Sequence, residues 1–331
     1  MTAALQVRNL SAEYSTSTGV VRAVHDVSFE LRRGETLGLI GESGCGKTTI
    51  GQALLNNLEA PGRIAGGQVM LGDIDLLSLS GKALRRTRWD RIAMVPQSAM
   101  HALNPVYRVG DQIAEAIELH TSATHQAALA RARELLDMVG VDPGRARDYP
   151  HQFSGGMRQR VAIAMALSCE PEVLICDEAT TGLDVLTEAQ VIGALRDMQR
   201  AFELSIIMIS HDLHMIGRVS DRIAIMYAGR LVEVAPAEDV RTDPRHPYTQ
   251  GLLSAVPALT AEPQHLEPIP GLVPDLRHLP PGCRFAPRCP FAIDECDHDI
   301  PPLIETVPGA QGDRRLVACI RDGDLVGKQS A

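Results

Sequence analysis

The sequence predicts an α/β domain, and three observations carry that prediction. An apolar run of buried-strand type, Thr36–Ile40, leads straight into the glycine-rich stretch GESGCGKT at Gly41–Thr48. A second such run, Val173–Cys176, ends in the paired carboxylates Asp177 and Glu178. Between the two, residues from Asn104 to about Asp142 turn to helical periodicity, which predicts an all-helical insertion.

The chain begins with two half-buried strands, Leu5 to Tyr14 and Val21 to Leu31, whose side chains alternate apolar and polar across the turn STSTG. Tyr14 ends the first. Its ring is placed either to stack on a base or to pack on the core. After the turn Arg33-Gly34-Glu35 comes the buried strand and then the loop, where Gly41 and Gly46 bracket Glu42, Ser43, Gly44 and Cys45. Glycines at this spacing let backbone N–H groups curl around phosphate oxygens, and the helix opening near Lys47 turns its positive dipole end to the same anion. Lys47 supplies a mobile cation, Thr48 a hydroxyl for Mg²⁺, and Thr49 continues the first turn. A strand preceding and a helix following make this a nucleoside triphosphate site rather than a chance turn.

Beyond the loop helix, Lys47 to Asn57, a strand is expected at Gly67 to Leu71, a short basic helix at Lys82 to Arg88, and a strand at Ile92–Val95 that ends in Pro96-Gln97. A glutamine there either ligates Mg²⁺, orients an attacking water, or sits on the surface beside a proline. The helical insertion puts Ile113, Ile117, Ala128, Leu135, Leu136 and Val139 on apolar faces and closes on FSGGMRQR, which opens a helix over Val161 to Ser168. Ser154 is a suitable N-cap, and Gly155, Gly156 and Met157 follow it, so a second anion site is expected at Ser154–Met157. At the end of the next buried strand, Asp177 is positioned to hold Mg²⁺ through water and Glu178 to take a proton from the water that attacks a γ-phosphate. Leu183-Asp184 lies in a loop before a helix of about Thr187 to Phe202, and the strand Ser205–Ser210 ends at His211, a candidate γ-phosphate contact.

A net charge of −9 with no lysine or arginine block disfavours direct nucleic-acid binding. No apolar run reaches bilayer length, and MTAALQVRNL lacks signal-peptide order, so a cytoplasmic location is expected. In that compartment the seven cysteines are expected as thiols or metal ligands. Cys45, Cys169 and Cys176 read as small buried residues. After Pro257 the sequence becomes rich in prolines, with Pro263, Pro268, Pro270, Pro274, Pro280 and Pro281 marking a linker into a small appendage that carries Cys283, Cys289, Cys296 and Cys319. Intervals of six, seven and twenty-three residues suit zinc less well than closer pairs do, which leaves a metal cluster, zinc or free thiols.

The motif order GESGCGKT, Gln97, SGGMRQR, LICDE, Gly182-Leu183-Asp184 and Ile209-Ser210-His211-Asp212 resembles the ATP-binding subunit of ABC transporters over about residues 5 to 250. The resemblance implies a P-loop NTPase of ABC type: a RecA-like core, an antiparallel β subdomain and an inserted helical subdomain at about 104–170, within an ATP-binding domain of 1–256 and followed by the appendage at 257–331. It implies that Tyr14 stacks on adenine, that Asp184 belongs to the nucleotide site, and that Ser154–Met157 faces the γ-phosphate held by a second ATP-binding subunit. YPHQFSGGMRQRVAIAMAL, HPYTQGLLSAVP and IPGLVPDLRHLPPGCRFAPRCPFA further resemble dipeptide, oligopeptide and nickel importers. Partners implied are two permeases and an extracytoplasmic solute-binding protein, with Leu103, Pro105 and Val106 as candidate permease contacts at the cytoplasmic membrane face. The matching appendage is implied to hold a [4Fe-4S] cluster on Cys283, Cys289, Cys296 and Cys319. Ala179 and Gly182 depart from a usual proline and alanine, and neither departure removes a catalytic group. A nickel or other non-peptide importer is the nearest alternative. A soluble ATPase of translation or DNA repair, which tends to carry two ATPase halves or a long coiled coil, and an exporter ATPase fit the chain less well.

Overall fold

The computed structural model describes residues 3–97, 102–255, 269–306 and 314–322. The predicted linker positions Pro263 and Pro268 lie outside them.

The N-terminal strands are longer than their alternation suggests. Strand β1 covers Ala3–Thr16 and β2 Gly19–Arg32. They pair antiparallel, and β4 (Gly62–Leu71) lies on the other side of β1, followed by the short β5 (Ile74–Asp75). The apolar pattern locates only the second half of β4, because Gly66-Gly67 interrupts it. Gly67 adopts φ +104° at a register shift against β1, where an added Cβ would lie 2.6 Å from the Leu10 Cα, so the strand is bulged rather than begun there.

Among the described residues the main sheet has eight strands in the order β11 (Ile304–Glu305), β12 (Leu316–Val317), β10 (Arg230–Pro236), β9 (Arg222–Tyr227), β3 (Thr36–Ile40), β8 (Ser205–Ser210), β7 (Val173–Asp177) and β6 (Ile92–Val95). Strands β3, β6, β7, β8 and β9 run parallel, and β10 is antiparallel to β9. Both faces are covered, which explains the unbroken apolar runs. Leu174, Cys176, Ile206 and Met208 enter the layer shared with the helical insertion; Val173, Ile175, Ile207 and Ile209 enter the layer under the antiparallel sheet. Each such fully buried aliphatic side chain contributes about 1.5–3 kcal/mol relative to exposure.

Helix α1 spans Lys47–Leu54 and α2 Gly81–Asp90. The insertion comprises α3 (Val109–His120), α4 (His125–Met138) and α5 (Gly155–Ala166), and every apolar position expected on its inner faces, from Ile113 to Val139, is buried. Helix α5 begins six residues before the apolar body that identifies it in sequence, since Ser154 caps it and Gly155-Gly156 form its first turn. Helix α6 (Val185–Phe202) likewise starts directly after its cap Asp184, whose carboxylate accepts from the Thr187 N–H at 3.0 Å. Helices α7 (Leu213–Val219), α8 (Ala237–Thr242) and α9 (Pro247–Ser254) follow among the described residues.

The described part of the tail packs against the main body. Strands β11 (Ile304–Glu305) and β12 (Leu316–Val317) extend the main sheet, β12 pairing with β10. Phe285 packs edge-on against Tyr227 at 5.2 Å and beside Tyr248 at 5.4 Å. Arg315 is fully buried, its Nη1 donating to Asp243 Oδ2 at 2.9 Å and its Nη2 standing 3.6 Å from Glu233. Glu233, also wholly buried, accepts the N–H groups of Arg245 and His246 at 3.0 and 2.9 Å and so anchors the start of α9. A segment too poor in apolar residues for its own core thus borrows the core of the main sheet.

Candidate functional site

The parallel register brings the expected residues to one edge. Ile40 stands opposite Ser210, Asp177 opposite Ile209 and Val95 opposite Cys176, so the residues that follow them, Gly41, His211, Glu178 and Gln97, emerge together at the C-terminal ends of β3, β8, β7 and β6. Sequence spacing alone does not order these strands.

The loop Gly41–Thr48 wraps tightly. Gly46 caps α1 at φ +107°, and a Cβ there would lie 2.1 Å from the Ala23 carbonyl oxygen; one on Gly41 would lie 2.2 Å from that of Met226. Both positions need glycine because main chain passes where a side chain would be. Lys47 is buried, and its Nζ donates to the carbonyls of Gly41 at 2.6 Å and Glu42 at 3.0 Å. The Tyr14 hydroxyl meets Thr49 Oγ1 at 3.4 Å, which sets the ring over the first turn of α1. Cys45 lies buried beside Lys47, and burial pushes its thiol up from the ordinary range.

Asp177 is 1% exposed, and among the described residues neither of its carboxylate oxygens has a partner at normal hydrogen-bond geometry, the Thr48 hydroxyl being the nearby donor. Burial raises its pKa, with the Glu178 charge adding to the shift and the nearby Thr48 hydroxyl and Lys47 opposing it. An unpartnered buried carboxylate next to a hydroxyl and a lysine fits a Mg²⁺ site, because a cation would provide what the protein does not.

Glu178 occupies the left-handed region at φ +48°, held there by its N–H donating to the Ile209 carbonyl at 2.9 Å. Its Oε2 accepts from Gln97 Nε2 at 2.7 Å, and its Oε1 lies 3.3 Å from His211 Nδ1. Three strand ends therefore meet on one carboxylate. With its amide nitrogen given to Glu178, Gln97 keeps its amide oxygen for a cation, and the carboxylate keeps acceptor capacity for a water.

Ser154–Met157 opens helix α5, with Ser154 as its N-cap. The Ser154 hydroxyl accepts from the Met157 N–H at 3.3 Å. Gly156 abuts Thr187, where a Cβ would lie 2.0 Å from Cγ2, and Asp184 accepts from the same threonine's hydroxyl at 2.7 Å. Those hydrogen bonds hold the Asp184 carboxyl below the usual range. Beside them Val185 and Leu186 are left exposed. Of the candidate permease contacts, Val106 is 71% exposed and Pro105 exposed, but Leu103 is buried in the core, where a permease cannot reach it; the alternation of a turn does not separate inward from outward residues.

Cys283, Cys289, Cys296 and Cys319 line one cavity together with Phe285 and Phe291. The Cys283 N–H donates to the Cys296 carbonyl at 2.7 Å, which closes the loop between them. Burial pushes Cys289 and Cys319 up to about 11 and raises Cys283 as well, with the neighbouring thiols adding to each shift. Such thiols stay neutral unless a cation displaces their protons. Among the described residues no group of three or more His, Cys, Asp or Glu is set to hold a metal ion. Of the other cysteines Cys45 and Cys176 are buried, while Cys169 is only half-buried.

Sequence reasoning missed the grip on Glu42. Its backbone N–H donates to the Tyr248 hydroxyl at 2.9 Å, and its carboxylate is forked by Arg288 at 2.7 and 3.1 Å. The stretches holding Tyr248 and Arg288 stand out as motifs, but their meeting at the phosphate loop is a tertiary fact.

Residues 24–181 match the family model described as ABC transporter, and residues 232–296 match the one described as oligopeptide/dipeptide transporter, C-terminal region. The chain is 46% identical to the oligopeptide transport ATP-binding protein OppD of Escherichia coli, over 96% of this chain and 93% of that one. It is 45% identical to the dipeptide transport ATP-binding protein DppD of Bacillus subtilis, over 90% of each. Among solved structures it is similar to cbiO1 of Clostridium perfringens, part of the transporter complex cbiONQ, with TM-score 0.64 at 25% identity over 73% of this chain and 92% of that one. The fold is shared with the ATP-binding cassette MJ0796, solved as a dimer in a post-hydrolysis state with ADP and Pi, at TM-score 0.63, 24% identity and coverage of 70% and 98%.

Proposed function

This chain belongs to the ABC transporter family as an ATP-hydrolysing subunit, and from that premise we propose that it drives the import of di- or oligopeptides through partner permeases. The observation that carries the chemistry is the meeting of Gln97, Glu178 and His211 at strand ends beside the phosphate loop. In this reading Gly41–Thr49 takes the phosphates, Tyr14 the adenine, and Glu178 the proton of the attacking water, while His211 contacts the γ-phosphate. Thr48, Gln97 and Asp177 would hold Mg²⁺, which neutralises charge on the phosphate oxygens when bound.

The exposed Val185 and Leu186 beside Ser154–Met157, where Gly156 abuts Thr187, support a role toward ATP on a second ATP-binding subunit. That subunit is a similar but different chain in this reading, and Asp184 lies at the junction. We place the assembly on the cytoplasmic face of the membrane, with two permeases and an extracytoplasmic solute-binding protein. No helix among the described residues is long and apolar enough to cross a bilayer, so the permeases supply the path. We divide the chain into an ATP-binding domain at 1–256, with its helical subdomain at about 104–170, and an appendage at 257–331. The peptide assignment is tested by reconstituting the purified complex in vesicles with its binding protein and labelled peptides. ATP-driven peptide accumulation is expected, and accumulation of nickel instead would replace the peptide reading.

Val106 tests the coupling surface. Its exposed side chain adjoins the helical insertion, so Val106→Asp is expected to cut transport per ATP at least ~10-fold, as an unpaired charge in a desolvated contact does. ATP affinity should be unchanged. Unimpaired uptake by this variant would remove Val106 from the interface.

For the appendage we propose a [4Fe-4S] cluster on Cys283, Cys289, Cys296 and Cys319. Four thiols lining one cavity support this reading, and their wide sequence spacing suits zinc less well. Protein purified without oxygen is expected to contain iron and acid-labile sulfide in equal amounts, and Cys289→Ser to lose both. Zinc in place of iron would give a tetrahedral thiolate site, and no metal would return the four to free thiols.

A further inference from the structure

Arg288 joins the cysteine-bearing tail to the phosphate loop. It ends the 3-10 turn Ala286–Arg288, directly before Cys289, and is 6% exposed. Its guanidinium straddles Glu42, Nη1 donating to Oε2 at 2.7 Å and Nη2 to Oε1 at 3.1 Å. The same group donates from Nε to the Pro270 carbonyl at 2.9 Å and from Nη1 to the Tyr227 hydroxyl at 3.3 Å. Its orientation is therefore fixed by the tail and by the main sheet together. Tyr248 meanwhile accepts the Glu42 N–H, so one residue of the loop is held at both its main chain and its side chain by positions more than two hundred residues away.

We propose that Arg288 is a positioning residue for nucleotide binding: through Glu42 it fixes the phosphate loop, and it neutralises a carboxylate carried by a loop that must receive a polyanion. The inference rests on reading Gly41–Thr48 as the phosphate site. Lys47 cannot serve both ends of this loop. Its Nζ donates to the carbonyls of Gly41 and Glu42, and contact with a phosphate draws on the same donor. The grip on Glu42 from the tail is a hold on the loop that does not draw on Lys47. The competing role for the pair is a staple that merely fastens the tail, and the two differ in what removing the Glu42 charge does.

The test is titration of the purified full-length chain with a fluorescent ATP analogue and Mg²⁺. Arg288→Met is expected to weaken binding about tenfold, and Glu42→Gln only about threefold, since it loosens the grip without leaving a bare charge. The double variant Arg288→Met/Glu42→Gln should bind like Glu42→Gln alone, and so more tightly than Arg288→Met. A staple would show no such recovery, because the tail stays unfastened in both. Arg288→Lys, which keeps the charge but loses the fork, should fall between wild type and Arg288→Met and serves if the methionine variant does not fold. Wild-type affinity in Arg288→Met, or additive losses in the double variant, would overturn the proposal. Lys47→Ala, measured alongside, reports separately on the phosphate-site reading: if it binds as wild type does, that reading fails; if it alone loses affinity, only the role of Arg288 fails.

Discussion

Glu178→Gln is expected to lower the steady-state ATPase rate of the assembled transporter by ~10²-fold or more, the usual range for removing a general base, while ATP still binds. The carboxylate is the shared partner of Gln97 and His211, and an amide of the same shape keeps part of both contacts. What it lacks is basicity toward the attacking water. Affinity for Mg-ATP should therefore stay near wild type, and the ATP-closed assembly should accumulate. The comparison to make is the single-turnover rate against the binding isotherm for the same protein. An unchanged turnover rate would move the proton-accepting role to another group, or to the second ATP site of the assembly.

Lys47→Ala should act on the other side of the same cycle. Hydrogen bonds to charged groups contribute about 1.5–3 kcal/mol each, so ATP affinity is expected to fall by at least ~10- to 100-fold. Lys47 is buried and donates to two loop carbonyls, so its removal also leaves the Gly41 and Glu42 oxygens without that partner. The loss should appear in binding before it appears in turnover, the reverse of the pattern for Glu178→Gln. Measuring both variants by equilibrium titration and by phosphate release separates the phosphate-holding role from the proton-accepting one.

The sequence by itself determined which stretches form the proposed nucleotide site, because each of them is short and contiguous. GESGCGKT encodes its own turn and helix start, LICDE a buried strand ending in carboxylates, and SGGM a capped helix; each works at its own spacing, whatever the distant chain does. The helical insertion was legible for the same reason, since its apolar periodicity repeats over several turns. Where glycine broke a pattern, as at Gly66-Gly67 in β4, the sequence showed half the strand, and the bulge that explains it involves Leu10 on another strand. Tertiary structure decided what depends on pairing between distant segments. The strand order brings Gln97, Glu178 and His211 together, burial turns Leu103 inward and leaves Val106 out, and the last strands of the tail join the main sheet. It also decided that Arg288 meets Glu42 across 246 positions. Such contacts leave no periodic trace in either partner, because an arginine and a glutamate read alike whether they face solvent or each other. Only the docking of the tail on the edge of the main sheet, favoured by the burial of Phe285 and with the buried Arg315 held by Asp243 and Glu233, brings that charge pair into reach.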